Sequence, residues 1–468
     1  MNDSFPTSRP SPAWRGWALM GAAALATFLL GLLASSILEH RQEAQRQLPL
    51  NKVGQWETDS AVWGENNPRE YETYKKMADS TTHTKYGGAD QRDYLQATPA
   101  NVILFAGYSF AKDYRQARGH LHTIDDVTAT KRVNEKTPAT CWTCKSPDVP
   151  RMMDNLGGPD KFYAGTFAGL KKEITHPIGC LDCHEPNTMK LRVTRPALRE
   201  AFKRQGKDID QASHQEMRTL VCAQCHVEYY FKHEGNYLTF PWDKGTTPEQ
   251  MERYFDAADF ADFTNAISGA KMVKIRHPDY EVYRTGVHAY RNIACADCHM
   301  PYRSEGGVKF TDHHLQSPLL NIANSCAVCH RWSEEEIRSR VEGIQDKIHQ
   351  ARGWTETMIA RAHFDIAAAR QSGASDAELA GVRKLVRHAQ LRWDYVAANN
   401  GMGFHSPLEC ERILAAALDL AGQCRVECAR ILAKHGVSKP VEYPDFSTKE
   451  KAQSLIKPFV DGKPPKLL

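Results

Sequence analysis

Five pairs of cysteines, each pair two residues apart, carry the strongest chemistry in this sequence. Four run on into histidine: Cys180-Leu-Asp-Cys183-His184, Cys222-Ala-Gln-Cys225-His226, Cys295-Ala-Asp-Cys298-His299 and Cys326-Ala-Val-Cys329-His330. The fifth, Cys141-Trp-Thr-Cys144-Lys145, ends in lysine. C-x-x-C-H is the attachment signature of c-type haem: both thiols add to the vinyl groups, and the adjacent imidazole becomes an axial ligand of the iron. Structural zinc would pair C-x-x-C units four cysteines at a time and has no need of the following histidine. A lysine ligates iron only as a neutral amine, so its pKa must be depressed by the metal and by burial. If that amine holds one face of the iron and no protein group holds the other, a substrate has a place to bind.

Four haems with two protein ligands each need four further ligands. The chain has 20 histidines, of which 4 end motifs, so 16 remain and position alone does not choose among them. Ten of the 13 cysteines belong to the motifs; Cys410, Cys424 and Cys428 are left over. They fall in one predicted helix, with Cys424 and Cys428 one turn apart, and read as small buried apolar residues. A disulfide among them stays open.

The elements that position these motifs divide along the chain. Residues 61–330 hold all five, are rich in Pro, Gly and aromatics, and show neither a long helical period nor an alternating run that would build a large sheet. Cofactors have to supply much of that core. The motifs recur at irregular intervals, so there is no solenoid repeat. From Ser333 the character changes. Glu334 to Gln371, Ser375 to Asn399 and Pro407 to Lys434 are nearly free of Gly and Pro. Apolar or buried-type residues recur every three or four positions (Ile337, Val341, Ile344, Ile348; Leu379, Val382, Leu385, His388), which predicts long amphipathic helices. Pro440 and Pro444 are expected to close the last, and one more short helix is expected near Ser447. The fold class is therefore mainly α, with little β.

At the N-terminus, Arg9 and Arg15 precede Gly16 to Leu38, which contains no charged residue. That length is close to the ~20 residues that span a bilayer as a helix. A cleaved signal has a shorter apolar region and a small-x-small site, and no clean site stands here, so a retained anchor is favoured over a signal peptide. The arginines place the N-terminus in the cytoplasm. Either reading puts the rest of the chain outside the cytoplasmic membrane. A net charge of +4, with no basic stripe interleaved with aromatics, gives no sign of a nucleic-acid partner.

From about Trp63 to about residue 460 the chain resembles the pentahaem cytochrome c nitrite reductases, the periplasmic ammonia-forming enzymes. Four stretches carry the resemblance: CWTCKSPDVPR at Cys141–Arg151, CAQCHVEYYF at Cys222–Phe231, the KxxHPxYE pattern at Lys274–Glu281, and TDHH at Thr311–His314. It implies a multihaem cytochrome c fold whose long C-terminal helices form a homodimer. With the N-terminal segment read above, the chain then has four regions: an anchor or signal at 1–38, a linker at 39–60, a pentahaem catalytic region at 61–332, and a long-helix dimerisation region at 333–468. The resemblance implies distal ligands at His120 for the third haem in sequence order, His288 for the fifth, His313 for the second and His405 for the fourth, leaving His122 and His314 as bystanders. Over the Lys145 haem it implies a pocket of Arg132, Tyr229 and His277. Arg132 would hold the nitrite anion, His277 would hydrogen-bond a nitrite oxygen and donate protons, and Tyr229 would relay a proton or position an intermediate.

The implied reaction is the six-electron reduction of nitrite to ammonium. Electrons would come from a membrane quinol-oxidising multihaem cytochrome or a small periplasmic carrier. Two other classes stand beside it: an electron-conduit cytochrome with no substrate, which would have a sixth protein ligand at every haem, and a multihaem enzyme of hydroxylamine or sulfur oxyanions. One position departs from the family's pattern. Members usually hold calcium through a Glu, the Tyr backbone, the Lys backbone and a Gln; here Glu228, Tyr229 and Lys274 match, but the Gln position is Arg276. Arginine offers donors and positive charge where calcium needs oxygens. The resemblance is thus to calcium-independent members, with Arg276 expected to pair with Glu228 in place of the ion.

Overall fold

The structure, a computed structural model, describes residues 13–45 and 51–468, so Arg9 and part of the expected linker lie outside the described residues. The chain divides into two units, one of Met1–Lys52 with Ser304–Val308, the other of Val53–Arg303 with Lys309–Leu468. In the first, Ala13–Gln45 is a single helix. Its segment Trp14–Glu39 has a mean hydropathy of 2.0 and none of it is buried. By length and composition it can cross a membrane.

In the second unit the three long helices run Glu334–Gln371, Asp376–Ala397 and Pro407–Lys434. Their starts are chemically specified. The Ser333 hydroxyl accepts from the Glu336 N–H at 3.1 Å, and Glu334–Glu336 sit at the positive end of the helix dipole. Ser375 and Glu378 form a reciprocal capping box. The third helix opens with Pro407 and stops at Lys434, before the two prolines, because Gly436 takes a left-handed turn at φ 79°. The last helix is Lys449–Val460, capped by Thr448. The long helices pack on one another through Val382, Val386, Ala389, Ile413, Ala417 and Ala421, all buried. Ile337 and Val341, at the start of the first, instead bury with Leu319 and Ile322 beside the Cys326 motif. That end of the helix supports a motif rather than the helical bundle.

Between Ser60 and Val328 the helices are short and mixed with 3₁₀ turns. Strands come as two-stranded ladders: Tyr230–Phe231 with Leu238–Thr239, Phe263–Thr264 with Lys271–Met272, and Tyr302–Glu305 with Val308–Thr311. Frequent Pro and Gly keep many of these elements short. Cohesion comes from buried aromatics, including Phe105, Trp142, Phe162, Trp242 and Trp393. His363, in the first long helix, bonds Ser268 Oγ at 2.8 Å and Gln390 Oε1 at 2.9 Å, so it is a core histidine.

Candidate haem-binding and active site

The five motifs do not share one backbone. In three of the histidine motifs the histidine N–H donates to the carbonyl of the first cysteine four residues back: His184 to Cys180, His226 to Cys222 and His330 to Cys326, each at 2.9 Å. Lys145 closes a tighter turn, donating to Trp142 O at 2.9 Å. Trp142, between the two cysteines, is buried, stacks on Phe167 with ring centroids 4.0 Å apart, and donates from Nε1 to Phe167 O at 3.0 Å. The lysine motif is thereby pinned at its centre.

Two imidazoles on opposite faces of one metal have a fixed spacing. A metal–nitrogen bond of about 2.0 Å, plus about 1.1 Å from nitrogen to ring centroid, places the centroids about 6.2 Å apart. The structure brings His184 to His313 at 6.1 Å, and His120 to His226, His288 to His330 and His299 to His405 at 6.3 Å each. These four pairs span distant parts of the chain, and each joins a motif histidine to one of the four distal candidates. Burial pushes His120, His184 and His299 down to about 4, so they are neutral at physiological pH, as a metal ligand must be. The residues fit iron held between paired imidazoles. His122 bonds Ala78 O at 3.1 Å instead, and His314 lies outside every pair.

The cysteines show which motifs adjoin. Cys144 lies beside Cys225, and Cys222 beside Cys295. Cys183 lies within electrostatic reach of Cys225, and Cys298 of Cys326. The Cys222–Cys225 motif is therefore the hub. It touches the lysine motif on one side and the Cys295 motif on the other, with the Cys180 motif nearby.

Arg132, Lys145 and Arg276 all lie close enough to Cys141 for their charges to act on it. Tyr229 feels Cys144 and Cys141, and burial holds its phenol far above the usual range. His277 is pushed down to about 3, first by burial and then by the Lys145 charge. Arg132 is held in place: its guanidinium lies 4.4 Å from the Phe110 ring centroid and its Nε donates to Thr130 Oγ1 at 3.1 Å. The four pocket candidates thus gather around one cysteine pair.

The Arg276 neighbourhood corrects one expectation. The guanidinium pairs with Asp262, through Nη1 at 2.9 Å and Nη2 at 2.5 Å, and also donates to Lys274 O. Glu228 is not its hydrogen-bond partner; that carboxylate accepts from the Arg276 backbone N–H at 2.5 Å. The reason is reach. The side chain folds back over its own backbone toward Asp262, while the main chain faces Glu228. Glu228 is fully buried, and burial raises its pKa well above the carboxylate range even with Arg276 nearby. Lys274 makes its own buried pair with Asp394, at 2.8 and 3.0 Å. Asp262 and Asp394 escaped the sequence because both lie outside any motif.

His288 and His405 are set by a single close approach. A Cβ added to Gly286 would overlap the His405 carbonyl oxygen, and backbone cannot move aside as a side chain can. Gly286→Ala is expected to displace the loops of both candidate ligands. The purified variant should lose two low-spin haem signals together; loss of only one would refute this coupling. The three leftover cysteines are buried and unbridged, as small apolar residues are.

The cytochrome c552 family model matches residues 59–464. A cytochrome c-552 of Bacteroides fragilis is 50% identical over 456 residues, covering 95% of this chain and 92% of the relative. One from Porphyromonas gingivalis is 48% identical over 464 residues, covering 97% and 93%. The solved catalytic subunit of the cytochrome c nitrite reductase from Desulfovibrio desulfuricans, described with two calcium sites, superposes with a TM-score of 0.79 at 31% identity, covering 89% of this chain and 97% of that one. The chain belongs to the cytochrome c552 family, that of the cytochrome c nitrite reductases its motifs resemble, and is a c-type-haem oxidoreductase of that family.

Proposed function

We propose that this protein reduces nitrite to ammonium with six electrons, at a lysine-ligated haem fed by four haems with paired histidine ligands. The observation that carries the proposal is the set of four imidazole pairs at metal-bridging distance beside one motif that ends in Lys145. The balance is nitrite plus six electrons and eight protons, giving ammonium and two waters. The haem supplies an iron that accepts single electrons and passes them to a bound nitrogen oxide.

The chain's own groups supply binding and protons. Arg132, already fixed by Phe110 and Thr130, offers positive charge to the anion without reorganising. His277, neutral at working pH, offers one N–H to a nitrite oxygen. Tyr229 keeps its proton and donates from its hydroxyl. The N-terminal helix tethers the enzyme to the cytoplasmic membrane with the haem region in the periplasm. The long helices form a homodimer, and a quinol-oxidising cytochrome or small carrier delivers electrons. Spectroscopy tests the ligand set: the ferric protein should show four low-spin haems indifferent to nitrite and one signal that nitrite alters. Five low-spin signals, none altered, would mean an electron conduit.

Arg276 takes the place of calcium in this reading, with Asp262 as its counter-charge and the Lys274 carbonyl satisfied by the guanidinium. Elemental analysis should find well under one calcium per chain, and chelation should leave activity unchanged. Arg276→Gln is expected to cost about 3–5 kcal/mol by stranding buried carboxylates, in part recovered by millimolar calcium. Stoichiometric calcium in the washed wild type would overturn the substitution.

A further inference from the structure

Asp279 opens the short helix Asp279–Tyr283 and is buried. Its Oδ2 lies 3.0 Å from His226 Nδ1 and accepts from Asn400 Nδ2 at 2.8 Å. Its Oδ1 accepts from Asn399 Nδ2 at 2.8 Å and from Asn400 N–H at 2.6 Å. Its own N–H donates to His277 O at 2.7 Å. The corresponding ring nitrogens of two other motif histidines meet only backbone: His184 Nδ1 faces Met189 O at 2.8 Å, and His299 Nδ1 faces Gln316 O at 3.0 Å. A carboxylate bonded to a ligating imidazole makes that ligand more basic. Its full negative charge also favours ferric over ferrous iron more than a carbonyl dipole does. Three donors besides His226 hold the carboxylate in place.

We propose that Asp279 is a positioning residue that sets the potential of the haem at Cys222–Cys225, holding it below the haems of His184 and His299. This inference rests on the five-haem reading above. It gives the hub a role: the motif in contact with the lysine motif carries the haem readiest to give up its electron to it. With haem bound, one electron would leave the group held at Cys222–Cys225, which would become ferric, and pass to the group held at Cys141–Cys144.

The test is a spectroelectrochemical titration of purified holoprotein, following each low-spin signal. Asp279→Asn removes the charge and turns an amide toward His226. One haem should rise in potential by at least a tenfold change in its ferric–ferrous equilibrium, about 59 mV for one electron. Asn400→Ala removes a competing donor, so the carboxylate leans harder on His226, and the same haem should fall. Opposite signs at one haem are the expected result, because general loosening of the fold would move both variants the same way. Equal signs, or an unmoved potential in Asp279→Asn holding five haems, overturn the proposal. A wild type with fewer than five haems or without four low-spin signals would overturn the haem reading, and this inference with it.

Discussion

Lys145→His is expected to keep five covalent haems yet lose nitrite turnover by about a hundredfold or more, the scale of a misplaced reacting group. A C-x-x-C-H sequence is the ordinary attachment signature, so haem loading should survive. The geometry should not. The Lys145 N–H bonds Trp142 O, whereas three of its counterparts bond a carbonyl one residue further back. A lysine amine reaches farther from its Cα than an imidazole does, and the turn that carries it differs from the turn of those three histidine motifs. Trp142, pinned by Phe167, resists the shift that an imidazole would need. Haem count by mass spectrometry and nitrite-dependent turnover check the prediction together; wild-type turnover in a five-haem variant would refute it.

Arg195→Met is expected to destabilise the fold by about 3–5 kcal/mol, the cost of stranding one member of a buried ion pair. Arg195 is 1% exposed and brackets the lysine motif: Nε donates to Thr143 O at 2.7 Å and Nη2 to Ser146 O at 2.8 Å. The guanidinium also meets Asp182, inside the Cys180 motif, at 2.6 Å. Burial raises the Asp182 pKa, while the Arg195 charge and a 2.8 Å hydrogen bond from the Gly179 N–H oppose it, so Arg195 supplies the counter-charge that the amide does not. Thermal unfolding should show the loss, and Asp182→Asn in the same chain should recover part of it by removing the stranded charge. Nitrite turnover should not recover, because the two carbonyls flanking Cys144 and Lys145 still lack their donor. Full recovery of both would show that Arg195 serves only the ion pair. Arg195→Lys keeps the charge without the fork and should fall between.

The sequence makes the covalent parts of this protein plain and its long-range parts obscure. The five C-x-x-C motifs and the long helices are local signals. Their ends are set by Ser333, Ser375, Pro407 and Gly436 within a few residues, and the helix boundaries agree closely with expectation. Which histidine faces which is a tertiary fact. His313 and His405 are nominated by resemblance alone, because no periodicity links His184 to Thr311–His314 or His299 to the Gly401–Gly403 turn. Charge partners are harder still. Arg276 was visible as a departure, but its pairing with Asp262 needed the Phe263–Thr264 and Lys271–Met272 ladder that brings the two segments together. Arg195 and Asp279 carried no signal beyond ordinary polar residues near a motif. In the structure each proves to be a buried hub of hydrogen bonds.

The most direct measurement supplies the purified protein with reduced viologen and nitrite, and counts viologen oxidised against ammonium formed. About six electrons per nitrite, with ammonium as the product, is the predicted result. Nitric oxide as the product, or no turnover by fully haem-loaded protein, would contradict the account at its centre.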